Sequence, residues 1–222
     1  MLLGEASLLS RQTRVIAFAS LLCGIGPSCY AGTAEGYAAY LRGDYQTAMR
    51  QFRPLADHGD PAAQVAVGWL YDNGLGTPHN DGLAAHWYTL AAEQGCAMPQ
   101  QYLGLMYAKG EGVPKDFSKA EKWFRLAADQ GDAGGQYGLG VIYRDGDGVP
   151  RDLVEAYKWF ALAAKDDVEG VQGQQALAAR AALTPLMTRE QIAKAEGLVK
   201  AGRPSPAADK TKAQRCSFGA TK

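Results

Sequence analysis

Trp87, Trp123 and Trp159 stand 36 residues apart, a spacing that would offer a ladder of aromatic faces for stacking on sugar rings. Identical residues at identical places in successive copies are better explained by shared packing, so a glycan-binding module is the weaker reading. The histidines His58, His79 and His86 form no His-Glu-x-x-His pair, and they read as surface or hydrogen-bonded side chains, with no zinc site expected. Nucleophilic hydrolysis needs an activated serine or cysteine beside a base. No Gly-x-Ser-x-Gly occurs, and no Ser-x-x-Lys is followed by Ser-Asp-Asn and Lys-Thr-Gly. Ser118 has Gly82 and Val154 at its equivalent places and reads as a surface residue. The loops Gly74-Leu-Gly76, Gly110-Glu-Gly112 and Gly146-Asp-Gly148 lack the lysine and hydroxyl of a phosphate cradle. They follow expected helices and read as turns. The expectation is a chain with no catalytic residue, no metal and no cofactor.

Those same residues mark a longer period. Gln64, Gln100 and Gln136 keep the 36-residue step, as do Gly68/Gly104/Gly140, Pro78/Pro114/Pro150 and the alanine pairs at 91–92, 127–128 and 163–164. Three copies align without a gap. In the middle copy Gln100, Leu103, Gly104 and Tyr107 give a first helical face, and Gly110 and Pro114 end it. Asp116, with Asn80 and Asp152 at the matching places, is the expected N-cap of a second helix. Ala120, Trp123, Phe124, Ala127 and Ala128 form its apolar stripe. Gly104 and the alanines should let two backbones approach while Trp123 fills the space beside them.

One such hairpin cannot hide its apolar face, so stacking on the next copy must bury it. The expected fold is all-α, an α/α superhelical solenoid. A shorter unit at 34–60 precedes repeats at 61–96, 97–132 and 133–168. Capping helices at 172–201 follow, with Thr188 and Gln191 at capping-box spacing. The polar stretch 202–222 reads as disordered.

The strings AMPQQYLGLMYAKGEGVPKDFSKAEKWFRLAADQGD and AGGQYGLGVIYRDGDGVPRDLVEAYKWFALAAKDDV resemble the Sel1-like repeat, a relative of the tetratricopeptide repeat. The resemblance covers about residues 34–201. It implies a scaffold for a protein or peptide partner, in bacteria tied to envelope assembly, exopolysaccharide export or signalling. A cysteine-rich branch of that family is linked to penicillin binding and β-lactamase activity, which makes a β-lactam- or peptidoglycan-directed hydrolase the alternative. Only Cys96 lies in the repeat region, so that branch is a poor guide.

The chain opens with the parts of a secretory signal. Arg11 and Arg14 precede the apolar run Val15–Ile25, and Cys29-Tyr30-Ala31 leads to Gly32. Residues 1–31 are expected to be removed, leaving a periplasmic or secreted protein with no transmembrane segment. Neither Cys29 nor Cys23 has the apolar residue three places before it that lipidation requires. Cys96 and Cys216 remain, and in an oxidising compartment they are a possible disulfide.

The whole chain balances 23 basic against 23 acidic residues, giving no reason to expect nucleic acid as a partner. The balance is uneven along the chain, with 19 acidic against 12 basic side chains in 32–170 and 3 against 9 in 171–222. Specificity should lie where copies differ while the architecture holds. On the first helices that is the line Val65, Trp69, Asp72, then Gln101, Leu105, Ala108, then Tyr137, Val141, Arg144. The resemblance implies that first helices line the concave side, making these nine the candidate binding residues. Packing against neighbouring helices is the equally open reading of the same positions.

Overall fold

The computed structural model describes residues 31–202. The expected signal segment, Cys216 and nearly all of the polar C-terminal stretch lie outside them. Ten α-helices follow one another as α1 (Ala31–Leu41), α2 (Tyr45–Asp57), α3 (Pro61–Asn73), α4 (Asp81–Glu93), α5 (Ala97–Lys109), α6 (Phe117–Asp129), α7 (Ala133–Asp145), α8 (Leu153–Asp166), α9 (Val171–Leu183) and α10 (Arg189–Ala201), with no strand among the described residues. Each helix packs against the next from α1 to α9, so the chain builds an all-α solenoid of helical pairs.

Capping sets these boundaries. The carboxylates of Asp116 and Asp152 and the amide oxygen of Asn80 accept the N3 backbone N–H of the second helices α6, α8 and α4. First helices end at Gly74, Gly110 and Gly146 with φ of 61°, 80° and 78°, in the left-handed region that residues with a Cβ avoid. The second glycine of each loop is also left-handed and has no room for a side chain. Gly76 lies against the backbone of Tyr45, Gly112 against Asp81, and Gly148 against Phe117 and Ser118. Each loop is thereby seated on the start of the previous pair's second helix.

Within a pair, the fit is glycine against ring. Gly68, Gly104 and Gly140 of α3, α5 and α7 take up Tyr88, Phe124 and Phe160 of the following helix, and Gly36 takes up Phe52 in the shorter first unit. The ring beside Gly104 is therefore Phe124 and not Trp123, as the sequence suggested. A ring in the register of Trp123 lies one position off that contact and points toward the neighbouring pair. Trp87 and Trp159 are only 4% and 1% exposed, while Trp123 is half-buried at the margin of the cluster that contains Tyr88, Leu103 and Met106.

Arginine explains that difference. Arg53 lies over the Trp87 ring at 5.0 Å and reaches the Tyr71 hydroxyl at 3.4 Å. Arg125, two periods later, lies over Trp159 at 5.8 Å and donates to the Tyr143 hydroxyl at 2.6 Å. Each guanidinium fastens one pair to the next and covers its tryptophan. The intervening equivalent is Thr89, which donates to the Ala85 carbonyl instead, and Trp123 is left partly open.

The three period-marking glutamines, 0–4% exposed, bridge successive pairs. Gln64 and Gln100 donate to the carbonyls of Ala56 and Ala92 and accept from Gln94 and Gln130. Buried amides need such partners.

Beyond α8 the pattern closes. α9 occupies the place of a further first helix against α8 and α7, a 3₁₀ turn at Thr184–Leu186 reverses the chain, and α10 folds back onto α8. Both halves of the expected capping box are formed at Thr188 and Gln191. First helices touch one another in succession, α5 to α7 and α7 to α9, and the second helices α4, α6 and α8 show no comparable packing among the described residues. The side lined by first helices is the inner one.

Candidate binding face

The inner side is built by α3, α5 and α7, which carry the nine residues singled out from sequence. Their environments differ. Val65 and Trp69 are buried, 6% and 8% exposed, whereas Asp72, Gln101, Leu105, Ala108, Tyr137, Val141 and Arg144 are half-buried. The outer part of the face is thus supplied by α5 and α7, with the α3 pair set deeper.

Around Trp69 the structure gathers an aromatic cluster that the sequence reading did not contain. The Trp69 indole donates to the Tyr40 hydroxyl at 3.1 Å, and Tyr102 meets the Trp69 ring edge-on at 6.0 Å. Tyr102 also stacks on Tyr88 at 5.3 Å and 14°. Burial pushes the Tyr40 phenol up to about 12. One signal for Tyr102 was available in the sequence. Its equivalents are Ala66 and Gly138, so a large ring replaces small residues in one copy only.

Asp72 sits at the end of this cluster and accepts from the Tyr88 hydroxyl at 3.4 Å. Burial raises its carboxyl above the usual range, with the Tyr88 hydrogen bond acting against that. The Tyr88 phenol is itself pushed well up, first by burial and then by Asp72. Arg144, the cation at the equivalent place in α7, is bound side-on by Asp145 with two contacts of 2.7 Å. That hydrogen bonding raises the guanidinium and lowers the carboxylate. Asp72 and Arg144 are therefore each engaged on their own helix pair and do not meet. Between them, the Gln101 side chain lies on the Cβ position of Gly134, which draws α7 close to α5, and Tyr137 packs on Phe160 at 5.5 Å.

The residues weighed for chemistry are dispersed. His58, His79 and His86 are exposed; two bond to carbonyls of Pro54 and Asp72, and His86 meets Trp87 edge-on. Ser118 is exposed, and no group of three metal-ligating side chains gathers among the described residues. The buried faces of Trp87 and Trp159 are closed to a sugar ring. Cys96, 3% exposed, is disulfide-bonded, and its partner lies outside the described residues. No described helix is long and apolar enough to cross a membrane.

A stack of capped helical pairs with an inner face of varied residues defines a helical-repeat solenoid. Residues 61–96, 100–132 and 133–168 match the Sel1 repeat, and the chain carries three Sel1 repeats. Among solved structures it is similar to a Sel1 repeat protein from Oxalobacter formigenes, with 36% identity over 68% of this chain and 60% of that one and a TM-score of 0.61. It is also similar to a protective antigen with an SLR fold present in uropathogenic Escherichia coli strains, with 41% identity over 61% of this chain and 30% of that one and a TM-score of 0.58. The chain thus spans about three fifths of the first of these proteins and under a third of the second. Comparison with the curated proteins gives no match. Sel1-repeat proteins are typically protein-interaction scaffolds, generally without catalysis of their own.

Proposed function

We propose that this chain is an exported, non-catalytic scaffold that holds a protein or peptide partner on the inner face of its solenoid, in envelope assembly or signalling. The observation that carries this reading is the contrast between the two sides of each first helix. One side repeats the same glycine and glutamine in every copy and serves packing. The other changes from Trp69 to Leu105 to Val141 and from Asp72 to Ala108 to Arg144 on an unchanged backbone.

Half-buried Tyr102, Leu105, Tyr137 and Val141 offer apolar contact, and the Arg144–Asp145 pair supplies a polar border. Trp69 supports Tyr102 from beneath. Aromatic and arginine side chains held rigidly in this way are the types enriched where binding energy concentrates. Export is supported by the basic, apolar and small-residue sequence of residues 11–32.

Affinity capture from the envelope fraction, using the natural chain and a Leu105→Glu/Arg144→Glu variant as baits, tests the face. The natural chain is expected to retain a specific protein that the variant loses. Recovery of the same proteins by both baits refutes the assignment.

A further inference from the structure

Two of the arginine fastenings between pairs are built from the same three receiving groups. Arg53 lies over the Trp87 face at 5.0 Å, donates to the Tyr71 hydroxyl at 3.4 Å and is held by the Asp57 carboxylate at 3.0 Å. Arg125 lies over Trp159 at 5.8 Å, donates to the Tyr143 hydroxyl at 2.6 Å and is held by Glu121 at 2.8 Å. Each guanidinium thus meets an aromatic face, a phenol oxygen and a carboxylate at once. Its flat, rigid fork of donors suits that combination, which an ammonium on a flexible stem does not reproduce.

One period after Arg53 the receiving groups recur without the cation. Thr89 stands at the place of the arginine and gives its hydroxyl to the Ala85 carbonyl. Trp123, at the place of Trp87, is half-buried, and no cation lies over its ring among the described residues. Tyr107 stands at the place of Tyr71, and its hydroxyl has no hydrogen-bond partner among the described residues. Lys119 lies over the Tyr107 ring at 5.2 Å and is drawn toward Asp116 at 3.7 Å. Glu93, at the place of Asp57, is exposed and forms no ion pair among the described residues.

We propose that Trp123, Tyr107 and Glu93 form a binding site, on the outer side of the solenoid, for an arginine side chain of a partner protein. The chain itself shows the ligand, because the matching groups one period earlier and one period later are each filled by a guanidinium. In both filled copies the cation arrives on the side chain of a neighbouring helix and spans the seam between two pairs. The ligand that fits the open seam is accordingly an arginine presented on a protein surface. Such a side chain covers the open part of the Trp123 face and neutralises Glu93. The site lies away from the inner face, so it stands or falls independently of the partner proposed there.

The full chain is labelled with fluorotryptophan, and fluorine NMR follows its tryptophans, with Trp123 assigned from Trp123→Phe. The probe is the capped peptide acetyl-Gly-Arg-Gly-amide, and the control carries citrulline, the neutral isostere, in place of arginine. The arginine peptide is expected to move the Trp123 signal saturably and to leave those of the buried Trp87 and Trp159 in place. The citrulline peptide should bind roughly ten-fold more weakly, having lost the charge. Glu93→Gln is expected to weaken the arginine peptide by roughly two- to five-fold, the upper range of an exposed ion pair. Thr89→Arg, with its helical signal unchanged, should abolish the response because its own guanidinium fills the site. An unmoved Trp123 signal, equal movement by the citrulline peptide, or equal movement of Trp87 and Trp159 overturns the site. Full affinity in Glu93→Gln, or a response retained in Thr89→Arg, overturns it as well.

Discussion

The amide of Gln136 donates to the carboxylate of Asp166 at 2.8 Å, at the place where the two preceding repeats join glutamine to glutamine. A carboxylate accepts only, so Gln136 presents its nitrogen to Asp166. Its Oε1 is then buried without a hydrogen-bond partner among the described residues. Gln64 and Gln100 are turned the other way and give their nitrogens to backbone carbonyls.

Asp166→Gln is therefore expected to let Gln136 turn over and complete the bridge. The expected gain is about 1 kcal/mol, read as a higher urea midpoint at unchanged slope. A lower midpoint would count against this account of the bridge.

Two glycines should respond oppositely to alanine. Gly104→Ala forces a methyl into the ring of Phe124, and the overpacking is expected to cost about 1–3 kcal/mol. Gly197 in α10 has nothing within 4 Å of its Cβ position, so Gly197→Ala should gain up to about 1 kcal/mol from helix propensity. Thermal denaturation of both variants checks the pair; equal signs would refute the glycine–ring fit.

Asp72→Asn should stabilise the protein at neutral pH. Burial raises the Asp72 carboxyl above its ordinary value of 3.8, so the folded state binds its proton more tightly than the unfolded state. The natural chain accordingly loses stability as pH rises from the ordinary value through the raised one, and asparagine removes that loss. The advantage of the variant is expected to grow over that window and then stay constant. Urea titrations from pH 3 to pH 7 measure it, and an advantage independent of pH would assign the effect to something other than ionisation.

Arg125→Met keeps the apolar stem but removes the contacts with Tyr143, Glu121 and the Trp159 face. A loss of about 1–2 kcal/mol is expected. Thr89→Arg, which introduces the same side chain one period earlier, should lower the solvent accessibility of Trp123. Acrylamide quenching of the tryptophan fluorescence reads the second effect; unchanged quenching would show that register alone does not build the fastening.

Sequence by itself determined the helical pairs, their caps and their stacking, because each of these is written in short-range chemistry repeated three times. Gly110 requires a left-handed backbone, Asp116 caps within three residues, and an apolar stripe on one hairpin has nowhere to go but its neighbour. The candidate face was legible only as a set of positions that vary. Tertiary structure decided which of them lie deep, since the burial of Trp69 depends on Tyr40, 29 residues away, and on Tyr102 in the next repeat. It also decided that Phe124 rather than Trp123 fills the space at Gly104, and that Arg53 and Arg125 cover two tryptophans while Thr89 leaves the third open. Those outcomes turn on the rotation of one helix against another by a fraction of a turn, which residue spacing along a single helix does not specify.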